Sequence, residues 1–311
     1  MAIFFHWTDA NEDVWKKAFK EAGIDSEILT VNDLTDSNVE SVKYVIAWAP
    51  PQGVLKRFSN LKYIFSIGAG VTHITDDPEA PEGVPIVRLQ DDMLILDMSC
   101  HILHWVLHFH RFYYQYGHYQ KEQKWLRHRY CDNSDKRVGI MGLGQTGQDA
   151  CRRLASLGFD VTGWARSPKA IDGVRCLHGN YQFDELLKSS DILINLLPLT
   201  PETENILNAD SFNKMPAGSF VINCSRGASI NDDDLLAALD SGHIEAAALD
   251  VFRIEPLPQG HPYWEHKNVF VTPHAAAPSN EGSAARFISG QIRKAMDGGT
   301  PAPIVDIQRG Y

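Results

Sequence analysis

No run in the chain's 311 residues approaches the ~18 consecutive apolar positions that a membrane-spanning helix needs. At the N-terminus, MAIFFHWTDA has an apolar patch too short for a secretory signal and no basic start. Cysteine is sparse. Cys100, Cys131, Cys151, Cys176 and Cys224 are dispersed and odd in number, with no CxxC pair. That pattern argues against a disulfide framework or a structural zinc site, and a reducing, cytoplasmic location is expected. Positive charge is in the minority, 29 Lys and Arg against 39 Asp and Glu, for a net charge of −10. This disfavours a general nucleic-acid or anionic-membrane binder but leaves room for local basic pockets that hold small anions. Repeats and low-complexity tracts are absent. The remaining composition, 44% hydrophobic and 22% charged, is that of a globular protein long enough for about two domains.

What is present is an alternation of short apolar runs with amphipathic stretches, the mark of βα units. AIFFHW (2–7), KYVIAW (43–48), KYIFSIG (62–68) and VPIVRL (84–89) read as strands. NEDVWKKAFKEAG (11–23) reads as a helix with an Asn start and a Gly stop. A long aromatic- and histidine-rich helical pattern runs from about Asp91 to Tyr119. Six more strand-like runs follow: KRVGIMGLG (136–144), DVTGWARS (160–167), DILINLLP (191–198), GSFVINCS (218–225), AAALDVF (246–252) and NVFVTPH (268–274). A helix over 282–297 closes the series. The expected class is α/β.

RVGIM runs into Gly142-Leu143-Gly144-Gln145-Thr146-Gly147, and a helical pattern opens at once. In a dinucleotide-binding unit the first glycine permits a tight turn, the second lets backbone approach the pyrophosphate, and the third packs helix on strand. The helix N-terminus adds free N–H groups for phosphate. An ordinary strand–helix turn is the alternative. Roughly 20 residues further on, an acid is expected to hold the ribose 2′-hydroxyl of NAD. VTGWARSPK (161–169) has none. It offers Trp164, Arg166, Ser167 and Lys169. Donors and positive charge suit a 2′-phosphate, so NADPH is expected over NADH. A solvated Arg-Ser turn is the bland reading.

Three charged residues end or follow late strands: Arg226 in INCSRGASI, Glu255 in LDVFRIEPLP and His274 in VTPHAAAP. Ligands gather beyond the carboxyl ends of strands in open α/β sheets. Singly, each residue reads as a surface arginine, a loop carboxylate or a capping histidine. Their order along the chain is more specific.

GLGQTG, NLLPLTPETENIL (195–207), INCSRGASINDDDLLAAL (222–239), GHIEAAALDVF (242–252), EPLP (255–258) and NVFVTPHAAA (268–277) resemble the D-isomer-specific 2-hydroxyacid dehydrogenases. SIGAGVTHI (66–74) is similar to that family's substrate-carboxylate loop. AWAPP (47–51), AGVTHI and the ending VDIQRGY (305–311) resemble the glyoxylate/hydroxypyruvate reductase A branch. The resemblance implies two Rossmann-like doubly wound domains. One is a discontinuous, flavodoxin-like substrate domain of residues 1–97 and 282–311; the other is a dinucleotide-binding domain of residues 98–281. It implies an active site in the cleft between them, closing over the substrate, and reduction of a small 2-oxo acid with NADPH, or more weakly NADH. His274 is then the proton donor, Glu255 its partner, and Arg226 the anchor of the substrate carboxylate and carbonyl. Backbone N–H groups of Ala69, Gly70 and Val71 would bind the carboxylate, and Trp48 would shape the pocket, although a strand-end tryptophan can simply be core. Leu196, Pro198, Thr203, Cys224, Ser225, Asp250 and His274 would line the cofactor, with core packing or a satisfied strand-end aspartate as rival accounts.

His101, His104 and His108 share one helix face, but HWVLH lacks the glutamate of a zinc helix, and no metal is expected. The resemblance makes this helix part of a homodimer interface. Trp125 follows it, where in some relatives an aromatic side chain reaches the partner's active site. Asn231-Asp232-Asp233-Asp234 reads as an N-cap with acids in the first turn rather than a calcium loop. Pyruvate or phenylpyruvate is the alternative substrate class. Phosphoglycerate is disfavoured because the C-terminal extension of many such enzymes is missing. A dinucleotide-sensing corepressor-like protein is the alternative of another kind, disfavoured by the short termini.

Overall fold

The computed structural model describes residues 1–8 and 10–306. Residues 307–311 of the VDIQRGY ending lie outside the described residues. The chain divides into two compact units, Met1–Leu94 with Ser279–Tyr311, and Ile95–Pro278.

In the first unit, β1 (Ala2–Trp7), α1 (Glu12–Glu21), β2 (Glu27–Leu29), β3 (Val42–Trp48), β4 (Tyr63–Ser66), the short α2 (Thr72–Thr75) and β5 (Ile86–Val87) build a sheet of order β2-β1-β3-β4-β5. All its pairings are parallel, as in flavodoxin-like folds. Asn11 caps α1 by accepting the N–H groups of Asp13 and Val14, and Gly23 ends the segment at φ 86°. The last helix of the chain belongs to this unit. It buries Ala284, Ala285, Ile288 and Ile292 against Trp15, Phe19, Ile3 and Phe5. The strand expected over 84–89 forms only at Ile86–Val87.

The second unit begins in α3 (Asp92–His110). It continues through α4 (Tyr113–Lys121), β6 (Arg137–Met141), α5 (Gln145–Ser156), β7 (Asp160–Ala165), β8 (Arg175–His178), α6 (Phe183–Lys188) and β9 (Ile192–Asn195). Then come α7 (Ala209–Lys214), β10 (Ser219–Asn223), α8 (Asp232–Asp240), β11 (Ile244–Leu249) and β12 (Val269–Val271). The terminal helix of the chain, α9, spans Glu281–Met296. The sheet order is β12-β11-β10-β9-β6-β7-β8 and every pairing is parallel, the doubly wound dinucleotide arrangement. β9 and β10 are buried along their whole length, as strands covered on both faces must be.

The single helix expected over 91–119 is two. Phe112 takes the left-handed conformation at φ 60° and divides α3 from α4. There its ring stacks on His128, centroids 4.8 Å apart, while Arg111 donates to the Tyr130 hydroxyl at 2.7 Å. These contacts with the 128–130 segment replace helical continuity.

Candidate active site

One register row crosses the second unit's sheet. Trp164 pairs with Met141, Met141 with Asn195, Asn195 with Asn223, Asn223 with Leu249, and Leu249 with Val271. Each strand stops within a residue of that row. The chain leaving the row therefore delivers Arg166, the glycine loop, Leu196, Arg226, Asp250 with Glu255, and His274 to one edge, the carboxyl edge of a parallel sheet.

At that edge His274 Nδ1 lies 2.7 Å from Glu255 Oε2, each side chain about a third exposed. The other carboxylate oxygen accepts the Phe252 N–H at 2.9 Å. Burial pushes the Glu255 carboxyl up. The hydrogen bonds from His274 and Phe252, with the charges of His274 and Arg226, outweigh it and hold the group below the usual carboxylate range. An ionised Glu255 can only accept, so Nδ1 carries the shared proton. Burial draws the Arg226 guanidinium below its usual value, opposed by Glu255, and it stays charged. Its Nη1 donates to the Ser225 carbonyl at 2.6 Å.

Asp250 is 2% exposed and fully engaged. Oδ1 accepts the Thr272 hydroxyl at 2.6 Å and the Ala275 N–H at 2.9 Å; Oδ2 accepts the Ala276 N–H at 3.0 Å. Its backbone carbonyl also accepts the His274 N–H at 2.8 Å. One aspartate thus organises the turn that holds His274 at a left-handed φ of 51°.

The three glycines of the loop differ in what surrounds them. Gly142 has φ 99°, and an added Cβ would lie 2.9 Å from the Leu196 carbonyl oxygen. At Gly147 an added Cβ would meet the Gly142 oxygen at 1.9 Å, so helix and loop pack backbone to backbone. Around Gly144 an added Cβ has nothing within 4 Å among the described residues. None of them requires its small size, whereas a ligand's phosphates approaching the start of α5 would need it. Beside this loop, just beyond β7, Arg166, Ser167 and Lys169 are exposed. These residues fit a phosphorylated dinucleotide.

Other expected site residues have inward duties. Trp164 is 6% exposed, and its indole N–H donates to the Gly179 carbonyl at 2.9 Å. Cys224 sits in the core, where burial pushes its thiol well up. Ser225 is buried. The Thr203 hydroxyl donates to the Pro198 carbonyl at 2.6 Å and braces the 198–203 loop, while Leu196 packs partly against the core. Asn231 accepts the Asp234 N–H at 3.1 Å as the N-cap of α8.

In the first unit Ala69 is exposed, Gly70 half-buried and Val71 buried, and their N–H groups donate to no acceptor among the described residues. Ser66 Oγ braces the loop through the carbonyls of Gly68 and Gly70, both at 3.0 Å. The Trp48 ring packs over Gly68, where an added Cβ would lie 2.1 Å from it, and lies tilted by 38° against His73 at 4.1 Å between centroids.

Two features escaped sequence reasoning. An added Cβ on Gly227 would meet the Phe252 carbonyl carbon at 1.8 Å, so glycine alone lets the Arg226 loop lie against the turn that carries Glu255. Asn195, Asn223, Ser225 and Ser229 form a buried polar cluster beneath Arg226. Polar residues closing otherwise apolar strands, as in DILIN and FVINCS, were its only signal.

A family model described as D-isomer specific 2-hydroxyacid dehydrogenase, NAD binding domain, matches residues 103–276. A glyoxylate/hydroxypyruvate reductase A of Serratia proteamaculans is 40% identical over 273 residues, 86% of this chain and 87% of the relative. One of Yersinia enterocolitica is 36% identical over 297 residues, 93% of this chain and 95% of the relative. Among solved structures, a D-isomer specific 2-hydroxyacid dehydrogenase of Xanthobacter autotrophicus Py2, in complex with NADPH and MES, superposes with a TM-score of 0.95 at 37% identity. That match covers 100% of this chain and 99% of the other. An NADPH-dependent glyoxylate/hydroxypyruvate reductase of Sinorhizobium meliloti, in complex with NADP and sulfate, gives 0.93 at 34% identity with the same coverage. The chain belongs to the D-isomer specific 2-hydroxyacid dehydrogenases, on the branch of the glyoxylate/hydroxypyruvate reductases A.

Proposed function

We propose that the protein reduces small 2-oxo acids with NADPH, glyoxylate to glycolate and hydroxypyruvate to D-glycerate. The observation that carries this is the His274–Glu255 pair beside Arg226 at the carboxyl edge of three adjacent strands. A bound nicotinamide supplies the hydride that the carbonyl carbon accepts. Arg226 holds the substrate carboxylate and the carbonyl oxygen, where negative charge develops. With Nδ1 engaged by Glu255, Nε2 of His274 is the nitrogen that gives the oxygen its proton, completing the 2-hydroxy acid. The N–H groups of Ala69, Gly70 and Val71 bind the carboxylate, and Trp48 limits the substrate's size. The glycine loop holds the pyrophosphate, with Leu196, Pro198, Thr203 and Asp250 beside the cofactor. Arg166, Ser167 and Lys169 receive the 2′-phosphate. The relatives' names and the NADP-bound neighbours support this reading. His274→Ala should abolish NADPH oxidation with glyoxylate while leaving NADPH binding measurable by fluorescence titration. Undiminished turnover would remove His274 from the mechanism.

The protein is also proposed to act as a cytoplasmic homodimer. Tyr113, Trp125, Leu126 and Tyr130 are exposed apolar side chains within one short stretch, and Trp125 is fully exposed. Among the described residues no helix is long and apolar enough to cross a membrane.

A further inference from the structure

We propose that Asn223 and Ser229, oriented by Asn195, are positioning residues that set Arg226 for the 2-oxo acid; this rests on the reading of Arg226 as the carboxylate anchor. Asn195 and Asn223 are register partners, the last residues of two adjacent, wholly buried strands. Their side chains and those of Ser225 and Ser229 are between 0 and 6% exposed. The donors run in one direction. Asn195 Nδ2 donates to Ser225 Oγ at 2.8 Å and Ser229 Oγ at 2.7 Å. Ser225 Oγ passes its hydrogen to Asn223 Oδ1 at 3.0 Å, which also accepts the Ser225 N–H at 3.2 Å. Ser229 Oγ donates to the Arg226 carbonyl at 2.6 Å, and Asn223 Nδ2 donates to the same oxygen at 3.1 Å.

The Ser229 backbone N–H donates to that carbonyl as well, at 3.2 Å, so three donors converge on it, two of them side chains of the cluster, and together they fix the orientation of the Arg226 peptide. The side chain follows, because its Nη1 is bonded to the carbonyl of Ser225, whose N–H is held by Asn223. A buried polar network that is fully satisfied fixes a unique geometry, whereas a partly satisfied one leaves a costly unpaired group. The neighbouring strand positions are apolar, so packing alone did not require four polar side chains here. Asn195 Oδ1 also accepts the Leu197 N–H at 3.1 Å, which extends the cluster to the loop proposed to flank the cofactor. Asn223 and Ser229 are the cleaner test.

The experiment compares wild type, Asn223→Ala and Ser229→Ala, each with Arg226 intact and in an Arg226→Ala background. Steady-state rates with glyoxylate are read together with NADPH affinity by fluorescence titration. With Arg226 intact, each substitution should lower kcat/KM on the order of tenfold, mainly through KM, below the ~100-fold that an ångström of misplacement costs. NADPH affinity should change by less than about twofold. In the Arg226→Ala background the same substitutions should cost less than about twofold more, because their effect acts through the missing side chain. Equal losses in both backgrounds, or no loss in either variant, would overturn the proposal. Ser229→Ala removes a single hydroxyl and serves if Asn223→Ala folds poorly. If Arg226→Ala alone leaves turnover intact, the reading of Arg226 is wrong and the proposal falls with it; that single result separates the two failures.

Discussion

Glu255 shows how one residue's surroundings fix its charge. Burial would favour the neutral acid, yet His274 and the Phe252 N–H keep it ionised to lower pH than an ordinary carboxylate. A carboxyl group whose folded value is depressed adds stability above its unfolded value, and that stability is lost as pH falls through the folded value. The stability gap between wild type and Glu255→Gln, measured by urea unfolding, should therefore be present at neutral pH and close progressively below the ordinary value of 4.5. A gap that persists unchanged in acid would show that the carboxylate charge is not its source. Arg166 is tested by cofactor choice. Losing charge-assisted hydrogen bonds worth about 1.5–3 kcal/mol should raise the KM of Arg166→Ala for NADPH roughly 10–100-fold and leave that for NADH nearly unchanged. Equal effects on both cofactors would make WARSPK an ordinary turn.

At the scale of the element, the turn after β12 depends on Asp250. Asn in its place offers one acceptor oxygen where three donors converge. Asp250→Asn should destabilise the protein by about 1–3 kcal/mol in urea unfolding and lower kcat by displacing His274. Unchanged stability would mean that the turn is held by other contacts. Much of this architecture was legible in the chain. The glycine loop, the late strands and the Arg226, Glu255 and His274 positions follow from apolar runs that end in polar residues. β2 and β8 were not legible, because three- and four-residue edge strands carry too little apolar pattern. The break at Phe112 was also hidden, since its cause is a stacking contact with His128, distant in sequence. The grip of Asp250 on the turn that carries His274 and the cluster under Arg226 needed the register between strands, which no single run encodes.

At the scale of the molecule, the exposed aromatic stretch bears on assembly. Trp125→Asp should shift sedimentation from dimer to monomer; a wild-type protein that sediments as a monomer would remove the dimer from the account. The most direct test of the central claim is NADPH oxidation by the purified protein, followed at the nicotinamide absorbance. Glyoxylate, hydroxypyruvate, pyruvate and phenylpyruvate are compared in parallel, each repeated with NADH. The account predicts turnover with glyoxylate and hydroxypyruvate above the other two, and NADPH preferred to NADH. Preference for phenylpyruvate or pyruvate, or equal use of NADH, would contradict it.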